Sequence, residues 1–120
     1  MAGAVQIGWY ATGFRGDQLQ EALEEISALS PRYGASHYSV YRSVDDRYKF
    51  TQYFHFAKKA DWDAFWNGPE FTRFRTITSG WWQVPVLYVW QDVVAFGSAP
   101  TDDLEVSAVT QTPDQAAAEA

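Results

Sequence analysis

The chain has no cysteine, which removes disulfides, thiolate nucleophiles and cysteine metal centres from consideration. It has only two histidines, His37 and His55, and neither has a carboxylate at helical ligand spacing, so a three-ligand metal set finds little support. Gly13-Phe14-Arg15-Gly16 is too short for a phosphate-cradling loop, and no nucleotide cofactor is expected. No Lys/Arg run is present. The 120 residues carry a net charge of -6, but Asp102, Asp103, Glu105, Asp114 and Glu119 account for five of those negative charges and leave residues 1–97 nearly neutral. Nucleic-acid binding needs a concentrated positive field and is therefore not expected, and the acidic end opposes docking to anionic membranes. No apolar stretch approaches the roughly 20 residues needed to cross a bilayer. Residues 1–6 have neither the basic start nor the apolar core of an export signal, and the expected location is cytoplasmic.

What the chain has in abundance is rings: six tryptophans, seven tyrosines and eight phenylalanines, all between Trp9 and Phe96, with none in the last 24 residues. This division predicts one ring-rich domain over residues 1–97 and a disordered acidic tail over residues 98–120.

Within the domain, residues 5–11 read as a strand with Val5, Ile7 and Trp9 on one side and Tyr10 on the other. Asp17 is placed to cap a helix carrying Leu19, Leu23, Ile26 and Leu29 at helical spacing, which stops before Pro31. Residues 36–43 and 48–56 alternate as two strands, with Asp45-Asp46 as a tight hairpin turn. That register sets Arg42 opposite Lys49, Val40 opposite Thr51, Tyr38 opposite Tyr53 and Ser36 opposite His55, with Tyr41 and His37 on the other side against Phe50 and Phe54. A one-residue slip exchanges these faces. A second helix opens at Asp61 with Trp62, Phe65 and Trp66 as its apolar stripe, breaks at Asn67-Gly68-Pro69, and resumes with Phe71, Phe74 and Ile77 inward until Gly80. Residues 84–96 read as a long last strand, bent near Gln91-Asp92, with Pro85 at its start or edge.

The order β-α-β-β-α-β is that of the ferredoxin-like α+β fold with an antiparallel sheet. Two helical segments cover one face of the sheet and leave the other open and ring-bearing, so a twofold homodimer that buries that face is expected.

These residues resemble the dimeric α+β barrel superfamily, and most closely its antibiotic biosynthesis monooxygenase-like branch. The resemblance rests on the element order, on the third strand running into Phe56-Ala57-Lys58-Lys59-Ala60-Asp61-Trp62, on the Phe65-Trp66-Asn67-Gly68-Pro69-Glu70-Phe71 break, and on the Val84-Pro85-Val86 start of a strand ending at Phe96-Gly97. It covers about residues 4–97 and implies a sheet curled over an internal pocket. Members include cofactor-independent oxygenases of polyketide aromatics, haem-degrading enzymes and proteins without known activity. The haem-degrading type uses an Asn on the first strand, a Trp and a helix-borne His. This chain offers Gln6, Gly8 or Tyr10 on the first strand and has no histidine after Trp62, which disfavours haem degradation.

The expected ligand is a small apolar or aromatic molecule, and the expected activity is cofactor-independent oxygenation of a phenolic substrate. On the register above, Tyr38, Thr51, Tyr53 and His55 share a face. His55 is the candidate general base, with Tyr53 or Tyr38 steering an oxyanion and Thr51 beside the substrate. The plainer reading of His55 is a hydrogen-bonded core or interface residue. Trp66, Tyr88 and Trp90 are candidates for stacking the substrate, with one of Tyr88 and Trp90 taken to face the pocket. Trp62 and Trp66 at i, i+4 are most simply helix core. Trp81-Trp82 are placed as a lid or as dimer packing, and Arg73 and Arg75 as an anion grip or, more simply, a solvated helix face. The alternatives to an oxygenase are a non-catalytic binding or assembly module with a filled interior, and a protein that binds haem through one axial histidine.

Overall fold

The computed structural model describes residues 2–99. The predicted acidic tail lies outside the described residues apart from Ser98 and Ala99, which are exposed and in no regular element. The elements are β1 (Gly3–Tyr10), α1 (Gly16–Ala28), a 3-10 turn (Ser30–Tyr33), β2 (Ala35–Arg42), β3 (Lys49–Phe56), α2 (Lys59–Trp66), α3 (Pro69–Ile77) and β4 (Tyr88–Asp92). The four strands form one antiparallel sheet in the order β2-β3-β1-β4, the predicted ferredoxin-like α+β arrangement. Among the described residues no helix is long and apolar enough to cross a membrane.

The core lies between one sheet face and the helices. Val5, Ile7 and Trp9 from β1 and Phe50, Phe54 and Phe56 from β3 are fully or almost fully buried, because alternation sends every second side chain to the same face. Leu19, Leu23 and Ile26 of α1 meet them at helical spacing, as do Trp62 and Phe65 of α2 and Phe71 and Phe74 of α3. Gln52 sits in the middle of this apolar face and is fully buried. It accepts from Trp9 Nε1–H at 2.9 Å and donates through Nε2 to Ser27 Oγ at 2.8 Å. A buried amide without such partners costs several kcal/mol, so this bridge is what lets a glutamine occupy a core position. Two glycines are set by close approach. A Cβ at Gly3 would collide with the Trp90 indole, and one at Gly68 would lie 2.7 Å from the Ala64 carbonyl oxygen. Gly68 and Pro69 therefore separate α2 from α3 where the sequence predicts a break, with Pro69 starting α3.

The structure corrects four expectations. Asp17 does not cap α1; it lies in the first turn, and its carboxylate accepts from Arg42 Nη1 at 2.8 Å. The second helical stretch begins at Lys59, two residues before Asp61, and Ile77 is more than half exposed instead of inward. The last strand is only Tyr88–Asp92, and Pro85 precedes it. The fourth correction moves the candidate site. The β2–β3 register is one residue off the predicted one: Arg42 faces Phe50, Tyr41 faces Thr51, Ser39 faces Tyr53, Tyr38 faces Phe54 and His37 faces His55.

Both ends of the hairpin account for the slip. At the open end Ala35 still pairs with Phe56, but Ser36 is an extra residue, a bulge, before His37 meets His55. At the closed end the connection is longer than a two-residue turn. Asp46 N–H donates to Ser43 Oγ at 3.0 Å, Asp46 Oδ1 accepts from Tyr48 N–H, and Asp46 Oδ2 accepts from the Tyr10 hydroxyl at 2.6 Å.

Candidate functional site

The register divides the predicted site residues between the two faces of the sheet. Thr51, Tyr53 and His55 of β3 point away from the helices, as do His37, Ser39 and Tyr41 of β2. Ala4, Gln6 and Gly8 of β1 and Val89 and Gln91 of β4 complete this open face. Tyr38 is not part of it. It pairs with Phe54 on the helix side of an edge strand, so it cannot orient a substrate beside His55. The open face is also more polar than expected, since hydroxyls, imidazoles and amides stand where a greasy surface was anticipated.

A hollow of about 470 Å³ opens on this face, lined by Ser39, Tyr41, Thr51, Tyr53, His55 and Phe96. Tyr41 and Tyr53 meet edge to face, ring centroids 5.8 Å apart. The His37 and His55 rings are 5.4 Å apart, and the Phe96 ring lies 4.6 Å from each. The chain beyond β4 thus brings Phe96 onto the histidine pair. His55 is partly buried there. Burial, and then the neighbouring His37, lower its pKa below the ordinary histidine value, which favours the neutral imidazole with a free lone pair. Such a group accepts a proton at neutral pH, and the Tyr53 and Tyr41 hydroxyls line the same hollow.

Trp66, Tyr88 and Trp90 all lie on the opposite, helix-covered side, where Trp66 and Tyr88 touch. Tyr88 and Trp90 are two apart on β4 and share a face, so the expectation that only one of them faces the site residues is corrected: both point to the helix side. Tyr88 packs on Trp62 and Trp66 with centroids 5.1 and 5.4 Å apart. Trp66 is covered by the Arg75 guanidinium, 4.0 Å over its ring, and Arg75 Nη2 donates to the Trp66 carbonyl oxygen at 2.9 Å. Arg75 is therefore a packing residue, and its burial lowers its pKa. The sheet itself separates these rings from His55, so a molecule stacked on them is out of its reach. Trp81 and Trp82 form no lid over the open-face hollow: the Trp82 ring packs edge-on against Trp9 at 5.3 Å, and Trp81 lines a groove between α1 and α3.

Sequence reasoning missed Tyr41, Ser39 and Phe96 as hollow residues, and His37 as the neighbour of His55. The alternation of His37, Ser39 and Tyr41 was readable; only the register assigned that row to the wrong side. Phe96, the last aromatic residue of the chain, was a usable signal.

Among the described residues no group of three His, Asp or Glu is placed to hold a metal ion. Haem fits poorly. An axial imidazole needs a clear ring nitrogen and apolar walls for the porphyrin, whereas His55 is flanked by His37 and Phe96 and the hollow is walled by the hydroxyls of Ser39, Tyr41, Thr51 and Tyr53.

By sequence, no family model and no curated protein matches the chain. By structure, it has the fold of antibiotic biosynthesis monooxygenase-like proteins. A Mycobacterium tuberculosis protein matches with a TM-score of 0.71 at 15% identity, over 82% of this chain and 100% of the other. A Nitrosomonas europaea protein named as an antibiotic biosynthesis monooxygenase matches with a TM-score of 0.71 at 17% identity, over 80% and 94%. The cofactor-independent oxygenase SnoaB from Streptomyces nogalater matches with a TM-score of 0.67 at 11% identity, over 82% and 97%. At these identities the likeness establishes the fold, while the chemistry rests on the residues of this chain.

Proposed function

We propose that this protein is a homodimer that binds a small planar phenolic compound in the open-face hollow and oxygenates it without a cofactor. The single observation that carries this reading is His55 beside Tyr53 and Tyr41 in the open-face hollow, with its pKa lowered by burial and by His37. Tyr41 takes the place first given to Tyr38. SnoaB, of the same fold, is named a cofactor-independent oxygenase, which supports the class of chemistry.

In this reading His55 takes the phenolic proton, and Tyr53 and Tyr41 donate hydrogen bonds to the resulting oxyanion. The electron-rich ring carbon then adds dioxygen. One oxygen atom stays on the ring as the new carbonyl of a quinone. The other leaves as water with the two hydrogens lost from the phenol O–H and the ring C–H. His55 returns its proton to that water, so no external reductant is consumed. The test is oxygen uptake with planar hydroxyaromatics in the absence of flavin, haem or added metal, matched to quinone formed. Because His55 must be neutral and its pKa is lowered, kcat/KM should rise from the acid side through an apparent pKa below 6.5 and be flat above it. A profile that instead rises with a pKa above 6.5 would remove His55 as the base.

Support for the homodimer comes from the open face, which the helices leave uncovered, although it is more polar than the apolar surface that motivated the expectation. Sedimentation equilibrium should return about twice the 13.6 kDa chain mass. A monomer at high micromolar concentration would leave the hollow open to water and remove the pocket from this reading.

One observation favours the non-catalytic alternative. The space between sheet and helices is filled by Phe54, Trp62, Phe65, Trp66, Phe71 and Tyr88 in mutual ring contact. Ligand binding at the open face without oxygen uptake selects a binding module.

A further inference from the structure

One concavity among the described residues lies apart from both ring clusters described above. It is a groove of about 730 Å³ on the outer surface between α1 and α3, a size typical of small-molecule sites. Its floor is apolar: Ala22 and Ile26 from α1, with Leu29 just beyond its end, face Phe74 and Ile77 from α3. Ile77 is 54% exposed there, although it lies one turn beyond the buried Phe74 on the same helix. Trp81 also lines it.

The rim is acidic. Glu21 and Glu25 stand one turn apart on α1, and Glu70 lies across from them on α3, against a single lining cation, Arg73. Glu70 is held ionised. The Tyr33 hydroxyl donates to its Oε1 at 2.5 Å, and that bond lowers its pKa.

The sign of the rim and the length of its walls narrow the occupant. Residues 100–120 of the same chain carry five acids and no base, so the chain's own end is repelled. A second copy would bring the same three carboxylates against these. A partner helix needs apolar contact over several turns, and α3, with nine residues, offers roughly 13 Å of wall. We propose that this groove binds a small hydrophobic cation, an amine or quaternary ammonium whose apolar body lies on Ile26, Phe74 and Ile77 while its charge sits between Glu21, Glu25 and Glu70. The site is independent of the open-face hollow and of any chemistry there.

The experiment is a titration of isotope-labelled full-length protein with octyltrimethylammonium, and with octyl sulfate as the matched anion, both below micelle formation, read by amide chemical shifts. The ammonium should give saturable shifts at Ala22, Ala28, Ile77 and Thr78, and the sulfate should bind at least roughly tenfold more weakly. The exposed double substitution Glu21→Gln/Glu25→Gln should weaken the ammonium roughly tenfold, each partly exposed charge contact contributing about threefold. Ile77→Lys, which places a competing cation on an already exposed position, should abolish saturable binding, and His55→Ala should leave it unchanged. Equal binding of both head groups, indifference to the glutamate substitutions, shifts confined to the open sheet face, or no saturable shift would each overturn the proposal.

Discussion

Trp62→Ala is expected to cost about 3–5 kcal/mol of folding free energy, the range for deleting a large buried ring. Trp62 is fully buried and touches rings from every layer of the helix side: Phe54 and Phe56 of β3, Phe65 and Trp66 of α2, Phe71 of α3 and Tyr88 of β4. The cavity cannot close, because its walls belong to a sheet and two helices that are each anchored elsewhere. Its indole N–H has no hydrogen-bond partner among the described residues, so truncation loses packing without losing one of the described hydrogen bonds. Domains of this size are stable by only about 5–15 kcal/mol, so the loss is a large fraction of the total. The melting temperature should fall by at least about 12 °C. Phe14→Ala is the control. Phe14 is 98% exposed, and its removal should move the midpoint by no more than a degree or two. Similar melts for the two variants would mean that the ring cluster around Trp62 is not the centre of the core.

His55→Ala should lower kcat for oxygenation roughly 10²–10⁴-fold, the usual contribution of a positioned general base. Substrate affinity should change little, since Tyr41, Tyr53 and Phe96 supply the ring contacts. The residue is only partly buried and makes no side-chain hydrogen bond shorter than 3.5 Å among the described residues, so the variant should fold and melt near the parent. The remaining activity should lose the acid-side pH dependence of the parent, because the group whose lowered pKa sets it is gone. His37→Ala should keep most of the rate and raise the apparent pKa of His55, whose value His37 helps to lower. Turnover of an identified phenol that is unchanged in His55→Ala would exclude the base role, whatever the binding data show.

The covered face of the sheet was legible in the residues because the hydrophobic effect acts on periodicity. Val5, Ile7 and Trp9 alternate, Leu19, Leu23 and Ile26 repeat at helical spacing, and the Gly68-Pro69 break falls where the helix ends. Gln52 was less legible. It shares the buried face with Phe50 and Phe54, and only the three-dimensional placement of Trp9 and Ser27 shows why an amide is tolerated there. The candidate site was harder still. His55 and Tyr53 were named from the chain, but their companions were not.

Local pattern by itself determined the element order, the ring-filled interior and the absence of thiol or phosphate-loop chemistry, since each depends on residue type and spacing along the chain. Which side of the sheet holds His37, Tyr38 and Tyr41 was decided only in three dimensions. A bulge at Ser36 and a connection folded around Asp46 shift β2 by one residue, and side chains on a strand alternate, so that single step exchanged the two rows. The hydrogen bonds responsible join Asp46 to Ser43, Tyr48 and the distant Tyr10, and no reading of β2 and β3 alone contains the last of these.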